Sequence, residues 1–190
     1  MLPAFLKLHG RRVVVVGAGP VAASKLPSLL AEGAVITVVA PDIGAEMARA
    51  VGESAEAGVQ VMRRAFEPQD VDGAWWVVAA APPDVNRQVL EAAESRRVFV
   101  NAVDDPPNAT AYLGGVVRRD GVTIAISTGG RAPALAGLLR EALDAWLPGD
   151  VDQWMAAADE ARREWRRDGV PMGERRPRLL DTLNKLYDER

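Results

Sequence analysis

The stretch that decides the fold is Arg12-Val13-Val14-Val15-Val16-Gly17-Ala18-Gly19-Pro20-Val21-Ala22. Its first half is an unbroken β-branched run, which is typical of a strand buried on both faces of a parallel sheet. Glycines follow at once, and apolar residues then recur at helical spacing over residues 21–32 until Gly33 ends the helix. This order of strand, glycine turn and helix predicts a nucleotide-binding fold.

The residues that follow continue the alternation of strands and helices. Val35–Val39 is a second buried run, which closes a βαβ unit with a right-handed crossover. Further elements are predicted as strands at residues 59–62, 75–80 and 98–100 and as a helix at residues 84–96. Such alternation predicts an α/β fold with a Rossmann-type, doubly wound parallel sheet.

The pattern changes after Pro106-Pro107. Residues 111–118 and 122–127 have short strand patterns joined by Asp120-Gly121, which is a hairpin signal. Beyond the hairpin, apolar spacing predicts helices at residues 132–146, 151–168 and about 177–187. We therefore predict a Rossmann domain at residues 1–110, a hairpin and helix segment at 111–148, and a small helical C-terminal domain at 149–190.

Composition excludes several classes of function. The 190-residue chain has a net charge of only −3, no cysteine and a single histidine, His9. Disulfides, thiolate nucleophiles and sites built from cysteine or several histidines are therefore excluded, and a polyanion-binding surface is disfavoured. No apolar run resembles a signal peptide or a membrane span. We expect a soluble, cytoplasmic protein without a bound metal, a nucleic-acid partner or a membrane partner.

The glycine turn, residues 17–22, has the spacing of a dinucleotide fingerprint. Gly17 permits the tight turn, Gly19 lets the backbone approach a pyrophosphate, and Ala22 is the small residue where helix meets strand. The start of the helix offers free N–H groups and a positive dipole end to phosphates. The alternative is a purely structural turn. The predicted cofactor contacts here are Gly17, Gly19, Pro20, Val21 and, at the end of a later strand, Ala80.

Two residues beyond the second strand favour one cofactor. Asp42 is placed to hydrogen-bond a ribose hydroxyl and would repel a 2′-phosphate, so NAD is predicted rather than NADP. Pro41 is predicted to line the adenosine side with it. The structural alternative is that Asp42 caps a helix beginning at Ile43.

An acid pair follows the short strand at residues 98–100, in Asn101-Ala102-Val103-Asp104-Asp105-Pro106. Open α/β proteins bind ligands at this carboxyl edge of the sheet, although two acids before a proline can also be a solvated turn. Asp104 is the preferred general base, because Asp105 precedes a proline and is biased toward an extended or turn conformation. Asp105 is predicted to contact the substrate, and which of the two acids is critical stays open.

A second glycine turn, residues 127–133, reads Ser127-Thr128-Gly129-Gly130-Arg131-Ala132-Pro133. It fits a helix start with Pro133 in the first turn. It also presents backbone N–H groups and a guanidinium to an anion, and Arg118 and Arg119 are suggested as helpers. The predicted substrate contacts are Thr128, Gly129, Gly130 and Arg131.

Taken in order, these motifs resemble the precorrin-2 dehydrogenase family, which includes the dehydrogenase/ferrochelatase module of siroheme synthase. The matching stretches are residues 2–3, 15–22, 37–41, 79–81 with Asn86, 101–106, 124–136 and 138–141. The resemblance is close over residues 2–147 and looser in the helical tail. Departures are Pro20 in place of a polar residue, Thr128 in place of a serine, and small residues at 108–115.

The resemblance implies NAD-dependent oxidation of precorrin-2 to sirohydrochlorin in siroheme biosynthesis. Asp104 aligns with the active-site aspartate of the family. The hairpin and helix segment would be a dimerisation segment, and its apolar surface also predicts a homodimer. The alternatives are a bifunctional enzyme that also inserts ferrous iron, and a dinucleotide-sensing module without turnover.

Overall fold

The computed structural model, which describes residues 1–54 and 58–188, contains a parallel sheet of five strands. The strands are β1 (Arg12–Val16), β2 (Val35–Val39), β3 (Gln60–Met62), β4 (Trp76–Ala79) and β5 (Phe99–Ala102). Their spatial order is β3-β2-β1-β4-β5. The chain moves outward from β1 in one direction and then returns to the other side of β1, so the sheet has its topological switch point between β1 and β4. The predicted doubly wound sheet is confirmed.

Both faces of the sheet are covered, as the β-branched runs predict. Val13 and Val15 pack with three helices on one face, namely α1 (Pro20–Ala23), α2 (Leu26–Ala31) and α3 (Ala45–Glu53). Val14 and Val16 point to the other face and pack with α4 (Pro83–Glu94). Burial on both faces explains why the strands are continuous apolar runs rather than alternating ones.

The single helix predicted over residues 21–32 is wrong. The segment forms α1 and α2, separated at Ser24 and Lys25. Pro27 accounts for the break, because it has no N–H to donate to the carbonyl of Ala23 and its ring crowds that carbonyl. Apolar periodicity alone does not register this local steric effect.

A second unit follows the first, since the chain divides into Met1–Leu113 and Gly114–Arg190. It starts with an antiparallel hairpin, β6 (Gly115–Arg119) and β7 (Val122–Ile126). Both turn residues have positive φ, 45° at Asp120 and 86° at Gly121, as a two-residue hairpin turn requires. The predicted hairpin is confirmed.

Three helices complete the second unit: α5 (Pro133–Trp146), α6 (Val151–Arg167) and α7 (Met172–Asp188). Val117 of the hairpin shares a buried cluster with Leu147 and Val151. Because this cluster spans the predicted boundary at 148/149, the hairpin and the helices belong to one compact unit. The division into a dimerisation segment and a separate C-terminal domain stays a prediction about function.

The last helix begins earlier than predicted, at Met172 rather than near Pro177. Pro177 lies inside α7, where it cannot donate to the exposed carbonyl of Gly173. The first turns are supported by other contacts, since the Arg175 Nε donates to the Val170 carbonyl (3.0 Å) and Arg178 pairs with Glu174 (2.5 Å). These bonds offset the helix bond that the proline removes.

Candidate functional site

The glycine turn lies at the switch point of the sheet. Gly17 follows β1 with φ 102°, and a Cβ atom at this position would collide with the carbonyl oxygen of Ala80, which follows β4. The Gly17 N–H donates to the Val39 carbonyl (2.9 Å), and the Ala80 N–H donates to the Val16 carbonyl (2.8 Å). Gly17 is therefore required by the packing of the turn itself.

Gly19 differs, because the fold does not require a glycine there. Its φ is −81°, which any residue can adopt, and a Cβ atom at this position would meet nothing within 4 Å. Within the described residues, N–H groups without a backbone acceptor cluster around it, at Ala18, Gly19, Val21 and Ala22. The open space and the free donors together suit the close approach of an anion.

The helix dipole contributes less to phosphate binding than the sequence predicts. The helix after the turn, α1, has only four residues, so few peptide dipoles add up at its start. Pro20 occupies its first position, where a missing N–H leaves no helix bond unmade, but it also removes one donor that could face a phosphate. Binding of a pyrophosphate would rest on the local N–H groups.

Gly44 packs against the glycine turn, and the sequence interpretation missed it. Its N–H donates to the Ala18 carbonyl (3.1 Å), and a Cβ atom at position 44 would lie 2.9 Å from the same oxygen. Gly44 caps α3, so Asp42 is not a helix cap and that structural alternative is wrong. Pro41 and Asp42 are exposed just beyond β2. A glycine directly before a helical pattern is the signal that could have revealed it.

The acid pair lies in a turn after β5 that we call the acidic turn, residues 103–108. Asp105 Oδ2 accepts hydrogen bonds from Asn108 Nδ2 (2.8 Å) and from Asn86 Nδ2 (3.0 Å). The hydrogen bond from Asn108, followed by that from Asn86, holds the pKa of Asp105 below its usual value. Asp105 is thus an ionised carboxylate engaged within the protein.

Asp104 differs from Asp105 in exposure and in hydrogen bonding. Its side chain is exposed, and no hydrogen bond or ion pair to it is found in the described part of the chain. Its φ of 56° is in the left-handed region, which aspartate tolerates better than most residues. The preceding Val103 N–H donates to the Ala79 carbonyl (2.9 Å), which ties the acidic turn to the end of β4. Asp104 therefore lies at the same carboxyl edge of the sheet as the glycine turn.

The second glycine turn is closed by its own hydroxyl groups. The Gly129 N–H donates to Ser127 Oγ and the Ala132 N–H donates to Thr128 Oγ1, each at 3.2 Å. Gly129 and Gly130 have φ of 68° and 76°, and Pro133 is the first residue of α5. The predicted helix start with a proline in its first turn is thus confirmed.

Two of the arginines predicted to bind substrate, Arg131 and Arg119, have different environments in the second unit. Arg131 is exposed, and its guanidinium makes no hydrogen bond or ion pair with any residue that the structure describes. Arg119 instead donates to Asp144 Oδ1 (2.8 Å) and to the Leu147 carbonyl. Its guanidinium thus fastens α5 to the hairpin, and the suggested help of Arg119 in substrate binding stays a prediction.

Residues 1–54 and 58–188 contain no group of three or more histidine, cysteine, aspartate or glutamate side chains arranged to hold a metal ion. None of their helices has the length and apolar character needed to span a bilayer.

The fold and the glycine turn define a Rossmann-type dinucleotide-binding protein. Residues 4–115 match the family model described as putative NAD(P)-binding, and the chain belongs to that family. Residues 119–145 match a second model, described as sirohaem biosynthesis protein central. The two matches follow one another along the chain; the first covers nearly all of the first unit and the second covers part of the second unit.

Individual relatives point to the same family. The chain is 39% identical over 176 residues to siroheme synthase 3 of Aeromonas hydrophila and to siroheme synthase of Citrobacter koseri, covering 92% of this chain in each case. It spans only 37% and 38% of those proteins. A solved structure named SirC, precorrin-2 dehydrogenase, is 27% identical with a TM-score of 0.70, over 95% of this chain and 88% of that one. The resemblance predicted from the motifs is confirmed.

Proposed function

We propose that this protein catalyses the NAD-dependent dehydrogenation of precorrin-2 to sirohydrochlorin, a step of siroheme biosynthesis. The observation that carries the proposal is the Asp104 carboxylate, which has no hydrogen-bond or ion-pair partner among the described residues and lies at the sheet edge that also holds the open glycine turn. The likeness to a structure named precorrin-2 dehydrogenase over 95% of the chain supports the choice of substrate.

The glycine turn would hold the cofactor. The pyrophosphate would contact Gly17, Gly19, Pro20 and Val21, with Ala80 beside them. At this turn, N–H groups lack a backbone acceptor, and Gly19 leaves open space that the fold does not require. Pro41 and Asp42 would line the adenosine side, and the Asp42 carboxylate would disfavour a 2′-phosphate, which makes NAD the expected cofactor. NAD supplies the hydride acceptor.

Asp104 would act as the general base. Dehydrogenation removes a hydride and a proton from the macrocycle, and a carboxylate can accept that proton. Asp105 is less suited to this step, because its carboxylate is held by Asn86 and Asn108. A direct contact between Asp105 and the substrate stays a prediction.

The second glycine turn would bind peripheral carboxylates of the substrate. Arg131 offers an unengaged guanidinium, whose forked geometry matches a carboxylate. Thr128, Gly129 and Gly130 would add hydroxyl and N–H contacts. This assignment predicts that the apparent affinity for the tetrapyrrole depends on Arg131 and the affinity for NAD does not.

A second copy of the chain is the proposed partner. The α5 apolar face consists of exposed side chains on one side of the helix: Leu135, Leu138, Leu139 and Trp146. Leu138 is 64% exposed and Trp146 is 72% exposed, which is costly for a monomer in water. An isologous dimer would bury this face in both copies. A cytoplasmic location is part of the same proposal.

The relatives named siroheme synthase favour a second activity, insertion of ferrous iron into the product. Anaerobic incubation of the protein with NAD and precorrin-2 tests the first activity, and later addition of ferrous iron tests the second. We expect the absorption spectrum of sirohydrochlorin to appear only when NAD is present. Binding of NAD without any change in the tetrapyrrole spectrum would instead support a dinucleotide-sensing module and contradict the proposal.

A further inference from the structure

Asn86 is a buried polar residue that the proposed chemistry does not use. It lies in α4, is only 2% exposed, and makes hydrogen bonds through both ends of its amide. Its Oδ1 accepts from the Ala81 N–H (3.2 Å) and its Nδ2 donates to Asp105 Oδ2 (3.0 Å). One side chain therefore joins the end of β4 to the acidic turn.

The orientation of this amide is determined by its partners. Rotating it by half a turn would place an oxygen against the Asp105 carboxylate and an NH2 group against the Ala81 N–H. Both contacts would then be repulsive, so only one of the two orientations is stable. Asn86 is thus a directional link and not a filler of space.

A second side chain, that of Asn108, also holds Asp105. Asn108 donates through Nδ2 to the same Asp105 oxygen (2.8 Å) and to the Pro83 carbonyl at the start of α4 (3.4 Å). Asp105 is therefore fixed both from the helix and from within its own turn. Its neighbour Asp104 is held between this anchor and the bond from Val103 to the Ala79 carbonyl (2.9 Å).

Asp104 needs such support because of its backbone. A φ of 56° is costly for a residue with a side chain, and it persists only where the flanking structure imposes it. The anchor at Asp105 is the contact next to it in sequence. Without that anchor, the turn could relax toward common backbone angles and move the Asp104 carboxylate.

We infer that Asn86 is a positioning residue, which through Asp105 fixes the backbone turn that presents Asp104 to the substrate. The inference rests on the proposed function in that Asp104 is taken as the base. The other end of the Asn86 amide accepts from the Ala81 N–H, and Ala81 directly follows Ala80, whose carbonyl packs on Gly17 of the glycine turn. Asn86 thereby couples the position of the base to the position of the cofactor turn.

A swap of the two side chains tests this inference. Asn86→Asp places two carboxylates in contact, so we expect kcat to fall about 10–100-fold through misplacement of Asp104. NAD affinity should be unchanged, because the new carboxylate can still accept from the Ala81 N–H. Asp105→Asn should lower kcat less. The double variant N86D/D105N restores a donor and an acceptor to the pair and should regain part of the lost turnover. Recovery is partial because Asn108 Nδ2 then faces an NH2 group where it had the Asp105 oxygen. Thr37→Val, which removes a buried hydroxyl in β2, is the control and should leave kcat unchanged.

Backbone hydrogen exchange gives a readout that needs no activity. In Asn86→Asp, and in the apolar Asn86→Leu if the first variant does not fold, amides of residues 100–112 should exchange about tenfold faster or more, with β1 and β2 unaffected. A wild-type protein that fails to oxidise precorrin-2 would refute the proposed function, and exchange would still decide the role of Asn86. Unchanged exchange in the acidic turn, or a swap no more active than Asn86→Asp alone, would overturn the inference.

Discussion

Gly17 and Gly19 are two residues apart in the same turn, yet they are glycines for different reasons. Gly17 is required by the fold, since it has a positive φ and a Cβ atom would collide with the Ala80 carbonyl. Gly19 has an ordinary φ and open space beside it. At a strand-to-helix turn with free N–H groups, a glycine that the fold does not require is best explained by the close approach of a ligand.

Gly19→Val should therefore separate binding from folding. The variant should fold with nearly unchanged thermal stability, while its affinity for NAD should fall by about tenfold or more because the side chain fills the approach of the pyrophosphate. Titration calorimetry measures the affinity. Gly52→Ala, at an open position in α3, is the matched control and should bind NAD normally. Equal affinity in the wild type and Gly19→Val would contradict the cofactor assignment.

Asp104→Asn tests the base. The amide keeps the size of the side chain but cannot accept the proton, so kcat should fall by about 10²–10⁴-fold while NAD binding persists. Steady-state kinetics with precorrin-2 and calorimetry with NAD measure the two effects. The Asp105→Asn variant should lose much less. Near-normal turnover in Asp104→Asn would leave Asp104 as a turn residue only.

Much of this site could be predicted from local sequence, and some of it could not. Gly17, Gly19 and Asp104 stand at strand ends, where the sequence order alone indicates the carboxyl edge of the sheet. The different environments of Asp104 and Asp105 depend on Asn86, which is 19 positions from Asp105 in the chain. That contact exists only after α4 has packed on the sheet, so no spacing rule contains it.

At the scale of elements, the strands were predictable because burial on both faces forces continuous apolar runs. The helices were less predictable where a proline interrupts the periodic spacing of apolar residues. Pro27 divides a segment whose apolar spacing is unbroken, whereas Pro177 is accommodated inside α7. The difference lies in what surrounds each proline, which the spacing of apolar residues does not describe.

The 3₁₀ turn Pro68–Val71 is held by an ion pair between the buried Asp70 and the half-buried Arg64, and this pair offers a test of stability. Asp70, 4% exposed, accepts from Arg64 Nη1 (2.7 Å) and from the Glu67 N–H (2.9 Å). Burial alone would raise the pKa of Asp70, but the bonds from Arg64 and Glu67 outweigh it and the pKa is lowered. Asp70→Ala should lower the free energy of unfolding by about 1–3 kcal/mol near neutral pH.

The pH dependence of that loss has a definite sign. Because the folded state lowers the pKa of Asp70, its contribution is present above the unfolded value of about 3.9 and is lost as the pH falls through the folded value. Urea unfolding of the wild type and of Asp70→Ala should therefore differ at pH 7 and converge in acid. A difference that grew as the pH fell would contradict the ion-pair account.

At the scale of the whole molecule, the α5 apolar face should control the oligomeric state. Leu138→Glu puts a charge at its centre and should convert a dimer into a monomer at micromolar concentration, as measured by sedimentation velocity. Leu180→Glu, at a position in α7 that is 59% exposed, is the control and should leave the sedimentation coefficient unchanged. A wild-type protein that sediments as a monomer would remove the dimer proposal.

In the proposed oxidation, the glycine turn holds NAD and the Asp104 carboxylate accepts the proton. The most direct test follows NADH and sirohydrochlorin together in an anaerobic mixture of the protein, NAD and precorrin-2. We expect the two products to rise in equal amounts and both rates to fall by about 10²–10⁴-fold in Asp104→Asn. Sirohydrochlorin formed without matching NADH, or no NAD-dependent oxidation by the wild type, would contradict it.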